Sequence, residues 1–208
     1  MSATIESDAS PVILLLAAGE GQRYGDIKQL ANIQGEPMVR RAARTALTYG
    51  VPVVVVTGAY AEQVEAVLRD LPLRIVRFDG WQQGMGSSLA AGIRYVHANY
   101  PQTSAALLCL ADQPLLGTAI FREMLQRQTE FPQRLLVTEH HGVSGPPVMF
   151  PRDCFAALMA CSGPRGAHAL IEQEAARVER FSAPGGIDVD TPQDLQRVQD
   201  WLLANAPH

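Results

Sequence analysis

The sequence predicts an α/β fold, a three-layer αβα sandwich around a mainly parallel sheet. Three observations predict it. Apolar runs of strand length, rich in Val, Ile and Leu, recur along the 208 residues. Amphipathic segments of helix length separate them. The runs are near-continuously apolar rather than alternating, as strands buried on both faces are.

The strands are expected at 11–17, 51–58, 73–78, 104–111, 134–140 and 146–150, with a more exposed one at 176–181. The first helix runs over 37–50, starting at Pro37 and stopping near Gly50, with apolar residues at 38/39, 42/43 and 46/47. Residues 60–70, 87–99, 117–130, 151–160 and 165–175 also read as helical. The last helix, 191–206, has a full start signal: Thr191 as N-cap, Pro192 in the first turn and Asp194 three after the cap. Residues 1–10 read as a disordered tail. Residues 11–208 read as one domain, with halves at about 11–116 and 117–190 before the final helix.

The composition is 47% hydrophobic and 18% charged, with a formal net charge of −4. That balance argues against a general nucleic-acid binder but leaves room for a local anion pocket. Cys109, Cys154 and Cys161 form no Cys-x-x-Cys pair, which argues against a disulfide framework or a cysteine zinc site; Cys109 reads as core. The opening ten residues lack a leader pattern, and no apolar run is long enough to cross a bilayer, so the cytoplasm is the expected location.

In a parallel sheet, ligands sit beyond the carboxyl ends of the strands. The loop after the first strand is Ala17-Ala18-Gly19-Glu20-Gly21-Gln22-Arg23-Tyr24-Gly25-Asp26-Ile27-Lys28. It fits neither the G-x-G-x-x-G fingerprint nor a Walker P-loop. Small residues there let backbone N–H groups approach a polyphosphate, with Arg23 and Lys28 supplying charge. A solvent-exposed turn carrying two surface cations is the other reading. Asp112 ends the fourth strand beside that loop and suits Mg²⁺, or else caps the following turn before Pro114. Asp188 and Asp190 point the same way if extended, which suits a metal role for one of them, Asp190 lying nearer the helix start; helix-entry chemistry explains them equally. The stretch 79–93 joins Gly84-Met85-Gly86 to Ser87 and Ser88, a helix start that either caps itself or presents donors to a nucleotide. His140 and His141 invite a metal reading, but strand alternation makes exposed side chains the expectation.

Taken together, "LLLAAGEGQRYGDIKQL", "GMGSSLAAGI", "LLCLADQPLL", "GPPVMF", "GPRGAHALI" and "IDVDTPQDL" resemble the molybdenum cofactor cytidylyltransferase family. These are nucleotidyltransferases with a Rossmann-like fold of the nucleotide-diphospho-sugar transferase type, related to molybdenum cofactor guanylyltransferases. The likeness spans roughly 11–203. It implies transfer of CMP from CTP to a terminal phosphate of molybdopterin, with Mg²⁺, and a molybdoenzyme as recipient of the product. It implies that Arg23, Lys28 and Asp112 are catalytic. Leu16, Ala17, Ala18, Gly19, Gly21, Arg23, Lys28, Gly84, Gly86, Ser87 and Ser88 would bind nucleotide, and Asp112 and Asp190 metal. Gln113, Pro114, Gly145, Arg165 and His168 would face the acceptor. Tyr24, Pro146, Pro164 and His168 depart from the family pattern. A transferase for another phosphorylated acceptor and a non-catalytic cofactor carrier are the alternatives.

Overall fold

A computed structural model describes residues 10–115, 118–140, 142–183 and 186–205. The expected tail at 1–10 lies outside these except for Ser10, as do His141 and the proposed boundary at 116/117. Among the described residues the strands are β1 (Val12–Ala17), β2 (Asn32–Ile33), β3 (Glu36–Pro37), β4 (Val53–Thr57), β5 (Arg74–Arg77), β6 (Ala105–Leu110), β7 (Leu135–His140), β8 (Val143–Pro151) and β9 (Val178–Ser182). The α-helices are α1 (Met38–Leu47), α2 (Ala61–Ala66), α3 (Met85–Asn99), α4 (Thr118–Glu130), α5 (Phe155–Met159), α6 (His168–Gln173) and α7 (Pro192–Ala204).

Seven strands form one sheet in the order β5-β4-β1-β6-β8-β7-β9. Only β8 runs against its neighbours, pairing antiparallel with β6 and β7. Central β1 is flanked by β4 and β6, with Leu15 between Val55 and Cys109. Alternation then builds the layers. Ile13, Leu15 and Ala17 face a core made with Val39 and Ala43 of α1, Val64 of α2 and Met124 of α4. Leu14 and Leu16 face the opposite core with Leu89 and Ile93 of α3 and Phe155 and Leu158 of α5. Cys109 belongs to the first core, as expected, and burial pushes its thiol well above the usual range. A third cluster joins Ile33 and Met38 to Leu115, Val189 and Val198, fastening α7 beside the end of β6.

The structure corrects several sequence expectations. The helices expected at 60–70 and 165–175 contract to Ala61–Ala66 and His168–Gln173, and residues 152–154 form a 3₁₀ turn before α5. Pro37 is the N-cap of α1 rather than its first residue. The hairpin of β2 and β3 was not anticipated. Gln34 and Gly35, at φ +52° and +88°, make its two-residue turn, the conformation that favours glycine. His140 is not an exposed side chain: half-buried, it lies with Nδ1 2.6 Å from the Ala183 carbonyl oxygen and Nε2 3.2 Å from the Thr138 hydroxyl. No helix among the described residues is long and apolar enough to cross a membrane.

Candidate functional site

The loop leaving β1 is shaped by close approaches that exclude side chains. A Cβ on Gly58, at the end of β4, would lie 2.6 Å from the Ala18 carbonyl oxygen. That glycine lets the two strand ends run together. Gly21 has φ +66°, and a Cβ there would sit 3.0 Å from Cβ of Lys28, so the loop folds directly over the lysine stem. The Gln29 amide donates to the Gly19 carbonyl at 2.5 Å and fixes the loop from below. The N–H groups of Gly19, Glu20, Gly21, Gln22 and Arg23 make no hydrogen bond among the described residues. A run of uncommitted N–H groups on a glycine loop is a cradle for phosphate oxygens.

Lys28 opens a 3₁₀ turn, Lys28–Leu30, and its side chain is only 11% exposed. Its ammonium donates to Asp112 Oδ2 at 2.7 Å and to Asp190 Oδ1 at 2.9 Å. Arg23 Nη2 reaches the other oxygen of Asp190 at 2.7 Å. Burial works against the Lys28 charge, but Asp112 and then Asp190 more than offset it, so the ammonium holds its proton above the ordinary lysine range. Asp190 is set by the helix that follows. Thr191 and Asp194 form a reciprocal capping box, and Asp194 Oδ2 accepts from the Thr191 N–H at 2.9 Å and the Asp190 N–H at 3.3 Å. The Val189 N–H donates to the Asp112 carbonyl at 2.9 Å and locks the two acid-bearing segments together.

Asp188 stands at an exposed rim whose inner side is crowded by protein. That partial burial, then Asp112 and Asp190, raise its carboxyl above the usual aspartate range, against the Gln113 amide donating at 2.8 Å and the Lys28 charge. Asp112 Oδ1 is buried and accepts no hydrogen bond. An orphaned carboxylate oxygen is costly to bury and calls for a cation or donor.

These groups share one cavity of about 660 Å³ at the carboxyl ends of β1 and β6. A larger cavity, about 970 Å³, lies among Ser10, Tyr49, Ser104 and Arg122 near the amino ends of the same strands, and holds no cluster of acids. A cradle of free N–H groups, two cations and converging aspartates make the smaller one the candidate site. The MobA-like NTP transferase domain matches residues 13–178 of this chain. The chain belongs to that family. It is 32% identical over 198 residues to nicotine blue oxidoreductase of Paenarthrobacter nicotinovorans, covering 89% of this chain and 94% of that one. It is 27% identical over 202 residues to a probable molybdenum cofactor guanylyltransferase of Natronomonas pharaonis, covering 91% and 96%. Rv0371c of Mycobacterium tuberculosis H37Rv, also solved in complex with manganese, superposes with a TM-score of 0.79 at 25% identity over 96% of this chain and all of that one.

In this MobA-like domain, Leu16, Ala18, Gly19, Gly21, Arg23, Lys28, Gly84, Ser88, Asp112 and Asp190 all line the cavity. Other residues named from the resemblance do not. Ala17 is buried in the sheet core. Ser87 donates to the Gln83 carbonyl at 3.5 Å. Gly86 packs on backbone, its hypothetical Cβ 2.6 Å from the Ser162 carbonyl oxygen; Gly84, which does line the cavity, meets Gly163 as closely. Gln113 is buried behind Asp188. Pro114, Gly145, Arg165 and His168 lie off the cavity wall, the last two facing Glu172 at 3.4 and 3.5 Å. Sequence reasoning missed Trp81, Gln82 and Met85, which form one wall, and gave Asp188 less weight than its place on the rim warrants. The signal was the stretch 80–86, whose Trp and Met stand among glycines.

Proposed function

We propose that this protein transfers CMP from CTP to a terminal phosphate of molybdenum cofactor, giving a molybdopterin cytosine dinucleotide and pyrophosphate, with a divalent ion, Mg²⁺, in the site. The observation that carries the reading is the sharing of Lys28 by Asp112 and Asp190 at the mouth of the 19–23 loop. The orphaned oxygen of Asp112 fits a hard divalent cation. No cluster of three or more His, Cys, Asp or Glu suited to a metal occurs among the described residues. Two carboxylates with the remaining ligands from substrate is the arrangement Mg²⁺ favours.

Asp112 and Asp190 would hold the ion, which offsets charge on the non-bridging phosphate oxygens. The 19–23 N–H groups seat the triphosphate, and Arg23 and Lys28 neutralise it. Trp81 and Met85 offer an apolar wall to a flat ring. The acceptor phosphate attacks the α-phosphorus in line, and the bond to the pyrophosphate oxygen breaks. Because the nucleophile is already an anion, no protein base is required, and the chain's contribution is placement and charge. The choice of cytidine rests on the resemblance alone, in which a double alanine such as Ala17-Ala18 leans toward the cytidylyl side.

The test is a thermal-shift screen of the four nucleoside triphosphates with Mg²⁺, followed by pyrophosphate release from the stabilising nucleotide with molybdenum cofactor. A ligand at a hundred times its Kd stabilises by about 2.7 kcal/mol. CTP is expected to stabilise most and to release pyrophosphate only with the cofactor. The name of the Paenarthrobacter relative, nicotine blue oxidoreductase, brings a second reading, an oxidoreductase. Stabilisation by reduced nicotinamide nucleotides and by no triphosphate would favour that instead.

A further inference from the structure

Lys28 is the single lysine among 17 basic residues; every other is arginine. It is also the residue on which both aspartates of the candidate metal site converge. Resting on the nucleotidyltransferase reading, we infer that the Lys28 ammonium competes with the divalent ion for Asp112 and Asp190, so that ion and triphosphate are taken up as one unit.

The contacts set up an exchange. Asp112 Oδ1 is open to a divalent ion, but Lys28 holds the other Asp112 oxygen at 2.7 Å and Asp190 Oδ1 at 2.9 Å, so an ion bridging the two acids is opposed by the ammonium's charge until the ammonium withdraws. The ammonium is largely buried, and leaving it without an anion there is strongly unfavourable. Asp188 is a further acid in the same cavity, and the loop that folds over the lysine stem offers a second partner: a Cβ on Gly21 would lie within 3.7 Å of Cβ, Cδ and Cε of Lys28, and the 19–23 N–H groups beyond are where phosphate would sit. An ion alone therefore sets two cations against the same pair of carboxylates, and a triphosphate alone draws the lysine away from both. Together, each charge finds a partner. Arg23 repeats the pattern at the rim, tied to Asp190 yet 73% exposed, and can swing without such a penalty. A lysine suits the inner position because its compact ammonium turns on a flexible stem, whereas a guanidinium would hold a carboxylate in a planar fork.

The test measures Mn²⁺ affinity by electron paramagnetic resonance on the full chain, with and without a non-hydrolysable α,β-methylene CTP. Wild type should bind Mn²⁺ weakly alone and roughly tenfold or more tightly with the analogue. Lys28→Met should bind Mn²⁺ alone roughly tenfold more tightly than wild type, and most of the coupling should vanish. An equal or lower affinity in Lys28→Met without nucleotide overturns the inference. If the analogue still stabilises wild type in that case, the functional reading survives alone. If no protein binds Mn²⁺ under either condition, both fall. Should Lys28→Met not fold, wild type labelled with [¹³Cε]lysine gives one side-chain signal. That signal should move with Mg²⁺ and analogue together and not with Mg²⁺ alone at the same concentration. A signal indifferent to both, or moved fully by Mg²⁺ alone, overturns the proposal.

Discussion

Gly19→Ala separates what the fold needs from what the phosphate cradle needs. Gly19 lines the cavity, its φ lies outside the left-handed region, and a Cβ built on it meets nothing within 4 Å. The folded protein therefore has room for the methyl group. Replacing a glycine whose conformation alanine tolerates removes freedom from the unfolded chain, so stability should hold or rise by about 0.4–1 kcal/mol. The same methyl would project from the loop that seats the triphosphate. Displacing a reacting group by about 1 Å costs on the order of 10²-fold in rate, or about 2.7 kcal/mol of barrier. The contrast is Gly86→Ala, where the new Cβ would fall 2.6 Å from backbone at Ser162. That overpacking should cost about 1–3 kcal/mol, a fall in Tm of roughly 2–12 °C for a chain of this size. Urea unfolding and a pyrophosphate-release assay on both variants decide the matter. Full turnover in Gly19→Ala at wild-type stability would remove the 19–23 loop from the site.

Two further substitutions bear on the acids. Asp112→Asn should raise the divalent-ion concentration needed for half-maximal turnover at least tenfold, roughly the loss of one charge-assisted contact; an unchanged metal titration would remove Asp112 from the ion. Asp188 has a folded-state pKa above its ordinary 3.8, so at this site the folded state binds more protons than the unfolded one in between, and the contribution of Asp188 to stability falls as pH rises through that window. Asp188→Asn should abolish that fall and be slightly more stable than wild type at pH 7, with the two converging below pH 3.8. Parallel denaturant curves of the two proteins at pH 3.5 and 7 would contradict this assignment.

The sheet was legible because its strands are buried on both faces. A run such as Val53–Thr57 has one sensible environment, and β1, β4 and β6 fell within a residue or two of expectation. The start of α7 was legible for a local reason, since the capping box is made by residues three apart. Short helices were not. The loss of pattern after Ala66 and before His168 reflects single turns held by tertiary packing rather than by propensity. Within the site, the glycine loop and its two cations could be found by residue type, but two explanations for each aspartate stood level. What separates them is long-range: Asp112 and Asp190 lie 78 positions apart in the chain, and their carboxylates converge on Lys28. Glycines are ambiguous in another way. Gly86 looks made for a ligand, yet the Ser162 backbone presses on it, whereas Gly84 is pressed by Gly163 and also lines the cavity. No single-sequence pattern distinguishes room left for a ligand from room taken by another loop.

That same contact bears on the acceptor side. Pro164 and His168 are departures from the family pattern, and they lie in the stretch the resemblance gives to the pterin. The Gly163 N–H donates to the Gln83 carbonyl at 3.1 Å, and the Gly86 N–H to the Gly163 carbonyl at 2.8 Å. Residues 162–164 thus act as a buttress for the helix start that carries Ser88 to the cavity. Arg165 and His168 meet Glu172 on the outside, with all three side chains more than two-fifths exposed. Exposed pairs of this kind contribute about 0–1 kcal/mol. The double substitution Arg165→Ala and His168→Ala should therefore leave kcat and both KM values within about twofold, since neither side chain lines the cavity, and lower stability by no more than about 1 kcal/mol. A rise of tenfold or more in KM for the acceptor, with KM for nucleotide unchanged, would restore these residues to the acceptor site and show that the wall of the cavity extends past Met85 when the second substrate binds.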